Sequence, residues 1–259
     1  MDRPNIVSRA DWIAARKQHL AKEKELTHLR DKLSAERRAL PWVKVDKSYV
    51  FDGPSGKETL ADLFDGRSQL VVQHFMWRAD LGQGCVGCSF EADHVDGALV
   101  HLEHHDVSYV RVSRAPLAAI EAYNKRMGWR PKWVSSLGSD FNFDYHVSFA
   151  KDELAKGKVY YNYEMTEASI EELPGLSVFY KDENGDIFHT YSSYARGNEE
   201  VLSTYIYLDL TPKGRNESSA MDWVRRHDEY EAAPRPASCC GAETTPNSEP
   251  LRAQADAAR

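Results

Sequence analysis

The sequence predicts an α/β domain built on a parallel βαβ unit, and three observations carry that expectation. Residues 69–77, Gln-Leu-Val-Val-Gln-His-Phe-Met-Trp, form an apolar run with the length and β-branched content of a buried strand. Residues 88–105 follow with Phe90, Val95, Leu99 and Leu102 spaced for one helical face. Residues 107–113 then alternate as a second strand, so a right-handed crossover should join two parallel strands.

The other elements follow in chain order. Residues 8–40 read as one long charged helix whose start Ser8 and Asp11 can cap and which Pro41 ends. Leu26, Leu29, Leu33 and Leu40 make a single stripe on it. That seam serves equally an arm packed on the main domain or a contact with a second copy, and a homodimer is one candidate partner. Residues 42–51 have β alternation at Val43, Val45, Tyr49 and Phe51, and Asp52-Gly53-Pro54-Ser55-Gly56 is a turn. Residues 59–64 form a short helical turn closed by Asp65-Gly66. Pro116 opens a helix through Met127 that Gly128 ends.

Residues 133–136 are a further short strand, and residues 176–180 and 187–192 make a hairpin around Asn184-Gly185. Residues 198–207 are a last helix. From Ala232 onward large apolar residues almost vanish, which predicts disorder. The expected organisation is a helical arm at 1–41, a domain at 42–231 and a disordered tail at 232–259.

Composition narrows the function. The 259 residues carry a formal net charge of −7, with 33 Lys and Arg against 40 Asp and Glu, which argues against a nucleic-acid partner. No apolar stretch approaches the roughly 18 residues of a membrane helix. The opening Met1-Asp2-Arg3-Pro4-Asn5 shows no basic-then-apolar leader, so the expected location is cytoplasmic. Four cysteines are too few for a disulfide scaffold, and closely spaced pairs in a reducing compartment suggest redox or metal chemistry.

The sharpest feature is Cys85-Val86-Gly87-Cys88 between the buried strand and the helix. Positions i and i+3 on a first helical turn lie about 5–6 Å apart, a separation a disulfide can bridge. A thiol at a helix N-terminus faces unpaired N–H groups and the positive end of the dipole, so its thiolate is favoured. Cys85 is outermost and is the expected nucleophile; Cys88 lies one turn in and should resolve a mixed disulfide. The reading is a dithiol-disulfide oxidoreductase acting on a protein or small-molecule disulfide or thiol, with no cofactor. Two alternatives use the same cysteines. A thiol peroxidase usually has a Thr three residues before the reactive Cys, where Gly82 stands. A metal-binding or metal-delivery protein would need ligands beyond the pair, and His94 and His101 are badly placed on a continuous helix to supply them.

Further candidates surround this pair. Arg114 ends the strand after the thiol-bearing helix and could supply a cation. Trp77, with Trp129, Trp133, Tyr145 and Phe149, lines either a groove near the thiols or the core. Cys239-Cys240 in the tail is either a mobile redox or soft-metal site or incidental.

At these residues the chain resembles a bacterial family of thioredoxin-like proteins, the domain of unknown function eight-nine-nine, described as dithiol-disulfide oxidoreductases. The resemblance covers about residues 8–230. It rests on Glu36-Arg37-Arg38-Ala39-Leu40-Pro41-Trp42, Leu63-Phe64-Asp65-Gly66-Arg67-Ser68-Gln69-Leu70, His74-Phe75-Met76, Gly84-Cys85 and Cys88-Ser89-Phe90. It continues through Ser113-Arg114-Ala115-Pro116, Gly138-Ser139-Asp140-Phe141-Asn142, Leu173-Pro174-Gly175-Leu176-Ser177-Val178-Phe179 and Asp209-Leu210-Thr211-Pro212-Lys213-Gly214-Arg215.

The resemblance implies a thioredoxin-like fold of peroxiredoxin-like variant: a central mixed sheet flanked by helices, with the long N-terminal helix added. It also implies that Pro174 corresponds to the cis-proline that faces the CxxC in thioredoxin-like proteins and presents a backbone edge to substrate. Two positions depart from the family pattern: Val86 stands where relatives often have proline, and Arg78-Ala79-Asp80 replaces Gly-Pro-Asp.

Overall fold

A computed structural model describes residues 5–79 and 81–230. The chain opens with α1 (Arg9–Arg38), capped where the Asp11 N–H donates to the Ser8 hydroxyl at 3.2 Å. Strands β1 (Val43–Lys44), β2 (Val50–Gly53) and β3 (Gly56–Thr59) follow, then β4 (Gln69–His74). A small ladder of β5 (Trp77–Arg78) and β6 (Gln83–Gly84) leads into α2 (Val86–Asp93), α3 (Leu99–His104) and β7 (Val107–Ser113). Next come α4 (Leu117–Met127), β8 (Lys132–Ser135), α5 (Phe141–Asp144) and α6 (Lys151–Leu154). The hairpin of β9 (Lys158–Tyr161) and β10 (Glu164–Glu167) precedes β11 (Gly175–Lys181), β12 (Ile187–Tyr194), a 3-10 turn at Ala195–Val201 and α7 (Ser203–Asp209).

The central sheet has 8 strands in the order β1-β12-β11-β4-β7-β8-β2-β3. β4 pairs in parallel with β7, β7 in parallel with β8, and β4 antiparallel with β11. The thiol-bearing α2 thus leaves the central strand, with a parallel crossover on one side and the β11–β12 hairpin on the other. This is the thioredoxin-like arrangement. One face of the sheet buries Phe51, Leu63, Leu70, Val72, Val112, Phe141 and Phe179. The other packs Phe75, Trp77, Ile120, Tyr123, Trp129 and Trp133 around Cys88.

Several expectations need correcting. The leucine stripe of α1 is not buried against the described residues: no α1 residue is buried, and Leu26, Leu29 and Leu33 are about half exposed. The helix meets the domain near its end, where the Arg37 guanidinium lies 4.9 Å over the Tyr191 ring. The helix expected over 88–105 is two helices, because the chain bends at 94–98. Gly97 lies in that bend, and the Arg130 N–H donates to the Asp96 carboxylate there at 3.1 Å. The strand expected over 69–77 leaves the sheet after His74, and Trp77 pairs with Gly84 instead. The strand over 42–51 is two short pieces, and the helix over 198–207 is a 3-10 turn followed by α7. The predicted tail at 232–259, with Cys239 and Cys240, lies outside the described residues.

Candidate functional site

Cys85 is the N-cap of α2, with extended backbone at φ −58° and ψ 139°, and Cys88 sits in the first turn. Both are free thiols. The Cys85 N–H donates to the Met76 carbonyl at 3.1 Å, and its own carbonyl accepts from the Ser89 N–H at 2.9 Å and the Ser89 hydroxyl at 2.7 Å. Cys85 is half-buried; Cys88 is buried.

The two sulfurs are electrostatically unlike. The Cys85 thiol is pulled down to about 6, chiefly because the Cys88 thiol donates a hydrogen bond to it. Burial opposes this, while the Cys88 and Gly87 N–H groups and the positive charge of Arg226 reinforce it. The Cys88 thiol is pushed well above its ordinary value by giving that hydrogen bond, by burial, and by the negative charges of Cys85 and Glu91. Helix geometry reinforces the split, since the N-cap position receives the free N–H groups of the first turn.

The thiols open on a cavity of about 280 Å³ walled by Met76, Glu91, Pro174, Leu202 and Met221. Two carboxyls flank the pair, Glu91 buried and Glu172 half-buried. Burial raises Glu91 to about 7, against hydrogen bonds from Asn198 and Gln73, and its Oε1 has no hydrogen-bond partner. Burial likewise raises Glu172 to about 7, although its Oε2 accepts the Trp77 N–H at 2.8 Å. A larger open groove of about 870 Å³, lined by Leu40, Tyr163 and Tyr191, shares Ala195 and Arg196 with the thiol cavity. Among the described residues no three His, Cys, Asp or Glu side chains gather as a metal site. No helix among them is long and apolar enough to cross a membrane.

Residues 1–230 match the family described as bacterial protein of unknown function (DUF899). The chain belongs to that family. No curated protein matches it. Among solved structures it is similar to the peroxidoxin BcpB from Mycobacterium tuberculosis, at 12% identity and TM-score 0.42, over 63% of this chain and 94% of that one. It is also similar to peroxiredoxin Q of Xanthomonas campestris, at 12% identity and TM-score 0.41, over 60% and 87%. The mitochondrial 2-cys peroxiredoxin of Plasmodium falciparum is a third, at 14% identity and TM-score 0.37, over 65% and 94%.

In this DUF899 member the other predicted site residues divide. Pro174 does line the thiol cavity, and its carbonyl accepts the Tyr161 hydroxyl at 2.6 Å. No peptide bond among the described residues is cis, so the cis geometry expected at Pro174 is not present. Trp77 is a core residue beneath the site, its ring 5.7 Å from Tyr123 and 6.3 Å from Trp133, rather than part of the cavity wall. Trp129 and Trp133 share that core, while Tyr145 and Phe149 belong to other clusters. Arg114 is turned away from the role expected of it: its guanidinium lies 4.2 Å over Phe143, and its charge acts on Glu172.

The cation acting on Cys85 is instead Arg226, which no sequence signal distinguishes from the charged run Arg225-Arg226-His227-Asp228-Glu229 around it. Glu91 had a faint signal, as a carboxylate one turn beyond Cys88 on the apolar side of the helix.

Proposed function

We propose that the protein is a thiol–disulfide oxidoreductase in which Cys85 is the nucleophile and Cys88 the resolving thiol. The observation that carries this is the split between the two sulfurs. The partly accessible one is held as thiolate near neutral pH, and the buried one keeps its proton. A thiolate is the attacking form, and a nucleophile whose pKa is near ambient pH combines high thiolate fraction with retained nucleophilicity.

Run as a reductase, the Cys85 thiolate attacks one sulfur of a substrate disulfide. A Cys85–substrate S–S bond forms, and the substrate S–S bond breaks to release one thiolate. Cys88 then loses its proton and attacks the Cys85 sulfur. This closes the Cys85–Cys88 bond and releases the second thiolate, so two electrons pass from the cysteine pair to the substrate. Glu91 shares the cavity with Cys88, and burial brings its carboxyl to about 7, so its ionised form is the base placed to take that proton. The reverse sequence oxidises a dithiol. With Cys85 at the N-cap and Cys88 in the first turn of the same helix, closure needs little backbone motion.

Disulfide-reduction assays test this. Cys85→Ser should abolish exchange, and Cys88→Ser should accumulate a mixed disulfide detectable by mass. Ordinary turnover by Cys85→Ser would overturn the proposal. The midpoint potential of the pair then gives direction: a value near roughly −270 mV marks a reductant and one near roughly −120 mV an oxidant.

A further inference from the structure

The segment after α7, residues 210–230, has little regular structure and is nevertheless fastened along its length. The Glu217 carboxylate accepts from the Met221 N–H and the Trp223 indole N–H, both at 3.1 Å. Val224 is buried with Phe90, Leu202 and Tyr205. His227 bonds Asp93 at 2.6 Å, and Asp228 pairs with Arg126 at 2.7 Å. This strap crosses from α7 over α2 to α4.

Between those anchors Arg226 turns inward and is only 5% exposed. Its Nη2 donates to the Gly84 carbonyl at 2.6 Å, its Nε to the Tyr123 hydroxyl at 2.8 Å, and its Nη1 to Glu229 at 2.9 Å. The Tyr123 hydroxyl lies 2.9 Å from the Ser89 Oγ, which donates to the Cys85 carbonyl at 2.7 Å. With Arg226 and Ser89 as donors at the two ends, the Tyr123 proton points to Ser89, and all the hydrogen bonds of the chain run in one direction. Bonds so aligned polarise one another. The carbonyls before and after the Cys85 amide are therefore held by one guanidinium, one directly and one through Tyr123 and Ser89. Gly84 fits between aromatic rings there: a Cβ at that position would lie 2.7 Å from Phe75 and 2.9 Å from Tyr123.

We propose that Arg226 is a positioning residue for the reactive thiol: the strap delivers a buried guanidinium that fixes the Gly84–Cys85 turn in its N-cap geometry and faces the thiolate with positive charge. The inference rests on the reading of Cys85 as the nucleophile. The charged and titratable groups around that sulfur are Cys88 and Glu91 on α2, Glu172 with Arg114 near β11, Arg196 with Glu199 in the 3-10 turn, and Arg226 from the strap. Arg114 acts on Glu172, and Arg196 pairs with Glu199 at 2.8 Å, so the cation for Cys85 comes from the strap. Three separate guanidinium nitrogens serve the Gly84 carbonyl, the Tyr123 hydroxyl and Glu229, a spread that one ammonium nitrogen does not reproduce, so lysine is an incomplete substitute.

The test is the pH dependence of iodoacetamide alkylation at Cys85 in the reduced full-length protein, followed by mass. Arg226→Gln should move the inflection upward by about one pH unit, about tenfold less thiolate at a pH below it. Arg226→Lys keeps the charge and loses the fork, so its inflection should rise by less. Arg225→Gln removes an exposed charge from the same strap, where its guanidinium donates to the Asp222 and Val224 carbonyls, and should leave the inflection in place. An unmoved inflection in Arg226→Gln overturns the inference, as does an equal shift in Arg225→Gln. If Arg226→Gln does not fold, an unmoved inflection in Arg226→Lys overturns it. A wild-type Cys85 that titrates like a free thiol would instead sink the reading of Cys85 as the nucleophile.

Discussion

α1 and the strap, near the two ends of the described chain, are built in opposite ways. α1 runs 30 residues as uninterrupted helix and buries none of them. The strap is a succession of turns, yet it buries Val224 and Arg226 and closes the thiol cavity with Ala220 and Met221. A helix meets its backbone hydrogen bonds internally, so α1 persists on local terms: the Ser8 cap, the Arg16–Glu23 contact at 2.8 Å and the Lys32–Glu36 pair at 3.8 Å. The strap has no such ladder and is ordered by what its side chains reach. Regularity and tertiary attachment are thus separate properties, and in this molecule the irregular end is the one that reaches the thiol cavity.

The largest expected effect sets the two regions directly against each other. Val224→Asp places an unpaired charge where 2% exposure leaves no water, and should cost on the order of 3 kcal/mol or more in urea unfolding. Leu29→Asp on α1 should stay within about 0.5 kcal/mol. Equal losses would break the contrast.

A second effect concerns Glu91 in the cavity the strap helps to close. Its folded pKa of about 7 lies above the ordinary 4.5, so between those values the folded state binds more protons than the unfolded state. Stability contributed by Glu91 is therefore gained as pH falls through 7 and complete near 4.5. Wild type should gain on Glu91→Gln by about 1.4 kcal/mol per pH unit across that window, approaching about 3 kcal/mol. A difference independent of pH would show that Glu91 is not shielded from water. The smallest effect is Ser8→Ala, which should fray the start of α1 by about 1 kcal/mol in helical circular dichroism without moving the unfolding midpoint.

What the sequence made legible follows the same division. β7 and α4 lie almost where Val107, Val110 and Val112 and the Pro116 and Gly128 punctuation put them, because local pattern determines them. The CxxC at the strand-to-helix junction was legible for the same reason. The bend at 94–98 was not, since Val95, Leu99 and Leu102 continue a helical spacing across Gly97 while the bend answers to Arg130, more than thirty residues away. Arg226 lies 142 residues from the carbonyl it grips, and nothing local separates it from a solvated arginine. Arg114 lies nearer along the chain, but the strand end aims it at Phe143 and Glu172.

The bend after α2 has a mechanical consequence. With α3 set apart beyond Gly97, the thiol-bearing helix is a stubby lever of 8 residues. At its far end the His94 Nε2 is 2.8 Å from the Thr204 hydroxyl, and at its near end the Gly84 carbonyl is clamped. Drawing the sulfurs together would tug on that lever alone, leaving the remainder of the crossover, and the parallel register beneath it, at rest.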